Sequence, residues 1–420
     1  MQIGWIDFSK QDKSNALNVI QSLNEPGVLD ELGFGIIRNA FANDFFPGTS
    51  TLHTRSKYLY LTANILYEFQ KKCVECVDGK YSAIRNAAAF IKKIKEDIDY
   101  EEKAVKNVLL KKGDLEGVIG SSSTDEKYWV ERTPLIIYWS ALRTFNFFEN
   151  SEYSKNITYS ELLAHFYRIS QAKKNQKSVS TNTESEVKND TDAGGAVFYP
   201  MGKEVYDSNW RKDIQIKLTK AEALDLRKRM IESEQSKDSL LAYILKEDLK
   251  VQDLGIEQFL DAYKSSLPEK FCIKLELAKA FNDFYYLTML RYNYLLAKVD
   301  FQKCNLDLET RWKEIEDQIV TICESFDLEK TFFVMNIQNE KLRNFLRDLR
   351  RNFIEAYNNK NYSKVDKLIK RREENLKTNR AKIDHPEKYD VSKLLEYPKF
   401  DFRFGIVQRH IKDIQEGENA

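Results

Sequence analysis

The residues with the greatest chemical potential gather in one run: Phe46-Pro47-Gly48-Thr49-Ser50-Thr51-Leu52-His53-Thr54-Arg55-Ser56-Lys57. Pro then Gly suits positions i+1 and i+2 of a type II turn, because glycine accepts the positive φ that the second position needs. Thr49, Ser50 and Thr51 then offer N-cap hydroxyls to a helix expected over Thr51–Lys72. Orphan N–H groups, the positive end of the helix dipole, several hydroxyls, and His53, Arg55 and Lys57 together make the composition of a phosphate or carboxylate site. Cations at a helix start oppose the dipole unless an anion is present. The stronger reading is therefore a structural ion-pair cluster, with Asp30, Glu31 or Asp44 supplying the anion; a bound ligand is the other.

A second concentration of charge lies between Lys341 and Lys382. Fourteen basic residues stand against five acidic ones there, a net of +9 within a chain whose net charge is +1. Leu342, Phe345, Leu346, Leu349, Phe353 and Tyr357 form an apolar stripe at helical spacing, with Arg343, Arg347, Arg350 and Arg351 along one side of it. Asn358–Asn361 reads as a turn. In a second helix Tyr362, Val365, Ile369 and Leu376 point inward, while Lys360, Lys364, Lys367 and Arg371 recur at intervals of four, three and four on an outer face. A helical hairpin with so concentrated a positive surface carries the electrostatic footprint of phosphate-backbone binding. Nothing resembles a base reader, so the expected binding is independent of sequence. A solvated face, or a dock for an acidic protein partner, fits the same charges.

Other chemistries leave no trace. There is no G-x-x-x-x-G-K-[ST], no G-x-G-x-x-G after a strand, no H-E-x-x-H and no G-x-S-x-G. His53, His165, His385 and His410 show no ligand spacing, and Cys73-x-x-Cys76 has no second pair to complete a zinc site. No metal and no cofactor are expected. His410-Ile411-Lys412 begins like H-x-K-x-x-x-x-D, but Gly417 stands where the aspartate belongs. Arg403 and His410 only loosely fit the Arg…His spacing of helical ribonucleases. Pro134–Thr144 and Thr158–Gln171 have helix-turn-helix order, but the connection is long and the second helix is basic only near its end, so both are expected in the core.

The surrounding chain must supply helices to position these groups. Of 420 residues, 42% are hydrophobic and 31% charged, with Gly 15 and Pro 7. So few breakers predict an all-α protein, with a short N-terminal strand at Ile3–Phe8. Lys+Arg 66 against Asp+Glu 65 excludes a global basic field, so any nucleic-acid contact must be local. No leader-like opening and no run long enough to span a membrane is seen, and five widely spaced cysteines do not suggest a secreted disulfide framework, which points to the cytoplasm. Ala172–Ala196 is nearly devoid of large apolar residues and reads as a disordered linker between helical domains over 1–171 and 197–420. Pro268–Lys298, apolar around most of its circumference, is expected at the centre of the second domain.

Gly4-Trp5-Ile6-Asp7-Phe8-Ser9 resembles the opening of a bacterial domain of unknown function, number six-three-six-one. The resemblance continues through Asp30-Glu31-Leu32-Gly33, Ile37-Arg38, Ala40-Phe41, Phe46–Thr51, Thr54-Arg55, Lys57-Tyr58, Tyr138-Trp139 and Asp401-Phe402-Arg403-Phe404-Gly405. It brings no catalytic residues. It implies an accessory protein of anti-phage defence islands, encoded beside helicase-like and phospholipase-D-like proteins, and so a helicase as one kind of partner.

Together these features predict a non-enzymatic, nucleic-acid-associated component acting through Arg343, Arg347, Arg350, Arg351, Lys360, Lys364, Lys367 and Arg371. Thr49, Ser50, Thr51, His53, Arg55 and Lys57 form the ion-pair or ligand cluster. The alternatives are an interaction scaffold without nucleic acid, or a divergent nuclease to be sought first around Asp30, Glu31, His53 and Arg55.

Overall fold

Local capping sets where the helices begin. In the computed structural model, which describes residues 30–75, 80–113, 115–122, 129–148, 157–179, 205, 206 and 209–420, the chain is all-α, with no sheet among the described residues. These residues fall into two compact units, neither continuous in sequence. One takes the chain up to Phe45 together with Asp253–Phe404; the other takes Phe46–Gln252 and Gly405–Ala420. The boundary expected at 172–196 falls within the second unit's range. Residues 172–179 continue a helix, whereas 180–196 lie outside the described residues, as does the strand expected at Ile3–Phe8.

The first unit holds α1 (Gly35–Phe45). A helix from Val28 is the sequence expectation, but the Asp30 carboxylate accepts the N–H groups of Gly33 and Gly35 (2.7 and 2.9 Å), and Gly33 takes φ +83°. That turn delays the helix. The second unit contains α2 (Lys57–Glu75), α3 (Ala87–Lys111), α4 (Pro134–Thr144), α5 (Tyr159–Val179), α6 (Lys220–Glu232) and α7 (Leu240–Lys246). The T-x-x-E spacing at Thr158 and at Thr219 predicts a capping box, and both form: Thr158 with Glu161 ahead of α5, and Thr219 with Glu222 ahead of α6.

The chain then returns to the first unit for α8 (Ile256–Tyr263), α9 (Glu269–Ala297), α10 (Leu308–Glu316), α11 (Ile319–Ser325), α12 (Leu328–Val334), α13 (Glu340–Asn359) and α14 (Ser363–Lys377). Helix α15 (Phe404–Glu418), apart from its first residue, belongs to the second unit. The sequence predicts one helix over Leu306–Phe326, but the structure breaks it in two, because the Gln318 N–H turns back to the Ile315 carbonyl (2.9 Å). The sequence predicts the second hairpin helix over Tyr362–Lys382, but α14 stops at Lys377. Thr378 takes φ +49°, and the buried Glu373 carboxylate captures the N–H groups of Lys382 and Ile383, folding the chain back on itself.

Helix α9 is the axis of the first unit, as its all-round apolarity predicts. Its Phe281, fully buried, packs its ring within 6.4 Å of those of Phe34, Phe41, Phe326, Phe400 and Phe402. Asn282 pins the segment after α14 by accepting the Phe400 N–H and donating to its carbonyl. Arg291 grips Asp366 of α14 with two nitrogens (2.7 and 2.9 Å), while the rings of Tyr294, Trp312 and Tyr362 surround its guanidinium at 4.8–5.0 Å.

Because Phe281 touches so many rings that cannot all collapse inward, Phe281→Ala should lower unfolding free energy by about 3–5 kcal/mol. Urea unfolding followed by circular dichroism measures this; a loss under about 1 kcal/mol would contradict its central place.

Candidate functional site

The turn at Phe46–Thr49 forms as its residues dictate. The Thr49 N–H bonds the Phe46 carbonyl (3.3 Å), and Gly48 takes φ +77° with Thr144 so close that a Cβ there would lie 2.8 Å from it. Thr49 also donates its hydroxyl to the Phe46 carbonyl, Ser50 accepts the Leu52 N–H, and Thr51 is exposed. None of these hydroxyls caps the helix. Helix α2 begins later, at Lys57, because the N–H groups of Thr54 and Arg55 both donate to the Tyr138 hydroxyl of α4 (2.8 and 3.1 Å), and that hydroxyl donates to the Arg55 carbonyl (2.9 Å). The phenol thus holds three backbone polar groups of Thr54 and Arg55 at once.

The anion at this helix start comes from α15. Asp413 accepts the Ser56 N–H (2.7 Å) on one oxygen and the Arg55 guanidinium on the other (Nε 2.9 Å, Nη2 2.8 Å). Lys57, buried, is held by both oxygens of Glu222 (2.8 and 2.6 Å), which also completes the α6 capping box. The acidic residues proposed from sequence are engaged elsewhere. Asp30 caps its own loop, Asp44 binds Lys274, and Glu31 is held by Lys377, Lys382 and Tyr397. Burial pushes the Glu31 carboxyl upward, but the two lysines outweigh it and hold it below its ordinary range.

His53 lies flat against Tyr138 (centroids 4.2 Å apart, planes within 4°) and faces His410 of α15. The buried contacts form a chain. Ser56 Oγ lies 2.7 Å from His410 Nδ1, His410 Nε2 lies 3.2 Å from His53 Nδ1, and His53 Nε2 lies 3.2 Å from the Ile137 carbonyl. A carbonyl only accepts, so with both rings uncharged the direction is set throughout. His53 donates from Nε2, His410 donates from Nε2 to His53, and the Ser56 hydroxyl donates to His410. Burial pulls the His410 imidazole down to about 4, with nearby Arg409 adding to this. A serine hydroxyl bonded to an imidazole has the composition of an activated nucleophile. Yet Ser56 is 0% exposed, and His53 and His410 are buried with it, so no substrate reaches this pair in this conformation.

Sequence reasoning missed His410 and Asp413 as members of this cluster. The available signal was two polar residues, three apart, within the stripe Ile406, Val407, Ile411 and Ile414 of an amphipathic helix; it marks a polar contact but not its partner. Arg403, the other half of the loose ribonuclease spacing, bonds Asn43 in the first unit. Cys73 is buried, Cys76 lies outside the described residues, and no metal-holding group of His, Cys, Asp or Glu occurs among the described residues.

In the first unit the expected basic hairpin is α13, a turn and α14, with Lys360 in the left-handed conformation at the end of α13. Its charges separate into two sets. Arg343 and Arg347 bind Glu329 of α12 while lying over the Phe332 ring, and Arg350 donates to the Cys323 carbonyl of α11. These three tie the hairpin to its own unit, as do Lys370 to Asp384, Arg372 to the Leu32 carbonyl, and Lys377 and Lys382 to Glu31. Arg351, Lys360, Lys364, Lys367 and Arg371 are solvent-exposed. Arg351 pairs with Asp348 and Lys364 with Glu355, both at the surface, and Lys360 lies over the Tyr357 ring.

Asp413→Ala should destabilise the second unit by about 2–4 kcal/mol and couple strongly to Arg55→Ala in a double-mutant cycle, because each partner is left buried without the other; independent, additive effects would contradict the pairing. Near α4, Glu102 accepts the Leu135 N–H (2.7 Å), and burial pushes its carboxyl up to about 8. A carboxyl raised in the fold favours its protonated form, so stability should fall as pH rises from about 4.5 to 8, by up to about 1.4 kcal/mol per pH unit. Glu102→Gln should flatten that segment of the stability–pH curve; an unchanged slope would contradict it.

No described helix is long and apolar enough to cross a membrane. No curated protein and no solved structure matches the chain. Residues 1–161, which contain the Phe46–Lys57 run and Tyr138-Trp139 but not Asp401–Gly405, are similar to the family described as "Family of unknown function (DUF6361)".

Proposed function

We propose that this protein binds nucleic-acid backbone, without sequence preference and without catalysing a reaction, through the outer face of the α13–α14 hairpin. The observation that carries this is the row Lys360, Lys364, Lys367 and Arg371. All four side chains are exposed, and the only ion pair they make among the described residues is Lys364–Glu355, whose lysine is 73% exposed. Such a surface pair is worth at most about 1 kcal/mol, so it yields readily to a phosphate. Lys364 to Arg371 spans about 10 Å of helix axis, comparable to about three phosphates of one strand. The neighbouring Arg343, Arg347 and Arg350 brace the hairpin instead, giving the row a fixed backbone.

The resemblance to a defence-associated family supports a role as an accessory component of a bacterial multi-protein anti-phage system, with a helicase-like protein as one partner. On this reading the Phe46–Lys57 cluster is structural: Asp413 and Glu222 occupy the place that an external anion would take.

Titrating labelled duplex and single-stranded DNA and RNA across a salt series tests this. Binding should weaken as salt rises, and a Lys364→Glu/Lys367→Glu/Arg371→Glu variant should show a shallower salt dependence, by roughly 0.9 in log–log slope for each duplex phosphate it no longer neutralises. Absence of binding at low salt would overturn the proposal and leave a scaffold that meets an acidic protein surface.

A further inference from the structure

Phe333 is the most exposed large hydrophobic side chain among the described residues, at 87%. Its neighbour Phe332 is buried beneath Arg343 and Arg347, so the short helix α12 turns one aromatic ring into the unit and holds the next one out. A single exposed apolar residue needs no explanation by itself. This one lies on a surface that can be traced to the cations of the hairpin. Phe333 lies one helical turn from Glu329, and Glu329 holds Arg347 of α13 (2.7 Å) and Arg343 (3.7 Å). Arg351, 65% exposed, follows Arg347 by one turn, and Glu355 follows Arg351 by another. Glu355 binds Lys364, the first member of the exposed row on α14. Lys330, also exposed, lies three residues before the ring on the same helix. The surface therefore runs from an exposed phenyl ring, past arginines, to the lysine row.

Every nucleobase has a π-face, and an exposed aromatic beside a cationic track is how single strands are held without sequence reading. In a duplex the bases are stacked on one another and offer no free face. We infer that Phe333 is a stacking platform for an unpaired base, and that the ligand of this surface is single-stranded nucleic acid, its phosphates lying along Arg351 and the α14 row. The inference rests on the backbone-binding reading proposed above.

The test is fluorescence anisotropy with a labelled oligothymidine and a labelled duplex, on wild type, Phe333→Ala, Phe333→Leu and Phe333→Trp. Because the ring lies in solvent, all variants should keep the wild-type melting temperature. Phe333→Ala and Phe333→Leu should bind the oligothymidine roughly 5- to 100-fold more weakly, with an unchanged salt slope because no charge is removed. Phe333→Trp should retain binding, with its added indole quenched by the bases. Duplex affinity should be the same in all four. If wild type binds the oligothymidine and Phe333→Ala binds equally well, the platform is overturned while backbone binding stands. If Phe333→Leu retains full affinity, an apolar contact has replaced stacking and the inference falls. If wild type binds neither nucleic acid, both readings fall together. If polyglutamate, rather than the oligothymidine, binds in a Phe333-dependent way, the surface is a protein dock and the inference is overturned.

Discussion

One carboxylate, Asp413, meets the start of helix α2. It accepts the Ser56 N–H where the helix leaves its donors unsatisfied, and it neutralises the Arg55 guanidinium that would otherwise oppose the dipole. The residue comes from the last helix of the chain, so this contact closes the second unit between segments more than three hundred residues apart. Around it, Tyr138 fixes the backbone of Thr54 and Arg55, and Glu222 takes Lys57 while capping α6. Gly117 belongs to the same arrangement. Its φ is +76°, and a Cβ there would lie 2.6 Å from Arg55 Cγ, so glycine leaves room for the guanidinium to reach Asp413.

The same closure determines what the histidines do. A serine, two imidazoles and a carboxylate within one cluster have the composition of a nucleophilic site, but their arrangement works as a brace. The carboxylate binds the arginine and a backbone N–H rather than an imidazole, and His53 ends the chain on a carbonyl rather than on solvent. With each ring nitrogen given one role, the two rings satisfy one another and hold α15 against α2 and α4. Buried polar groups satisfied in this way specify one packing arrangement, because any shift leaves a donor or acceptor without its partner.

Much of the architecture was legible from local signals. The two capping boxes, the Pro47-Gly48 turn, the all-round apolarity of α9 and the helix–turn–helix of the basic hairpin each depend on residues within a few positions of one another. What local spacing did not carry was partnership at a distance. Asp30, Glu31 and Asp44 were reasonable anions for Arg55 and Lys57 on charge alone, but Asp413 and Glu222 take those places. Nothing in the periodicity of α15 tells which helix its polar residues will meet. The start of α2 moved by six residues for the same reason: its early N–H groups are taken by a tyrosine eighty residues away. In the hairpin a charge count gave the surplus but not its use. Glu329 and the Cys323 carbonyl convert Arg343, Arg347 and Arg350 into braces, leaving the α14 row and Arg351 at the surface. Functional expectation therefore narrows from the whole +9 segment to the side chains its own unit does not hold.

The histidine cluster forms a closed structural network with a fixed direction. Nitrogen-15 NMR of histidine-labelled protein at neutral pH tests it directly. His410 should be uncharged with its proton on Nε2, from which it donates to His53, and should stay uncharged well below pH 6 because burial holds its imidazole down to about 4. A His410 proton on Nδ1, or an imidazolium that titrates near pH 6.5 as in open solvent, would contradict the closed network and reopen Ser56 as a reactive group.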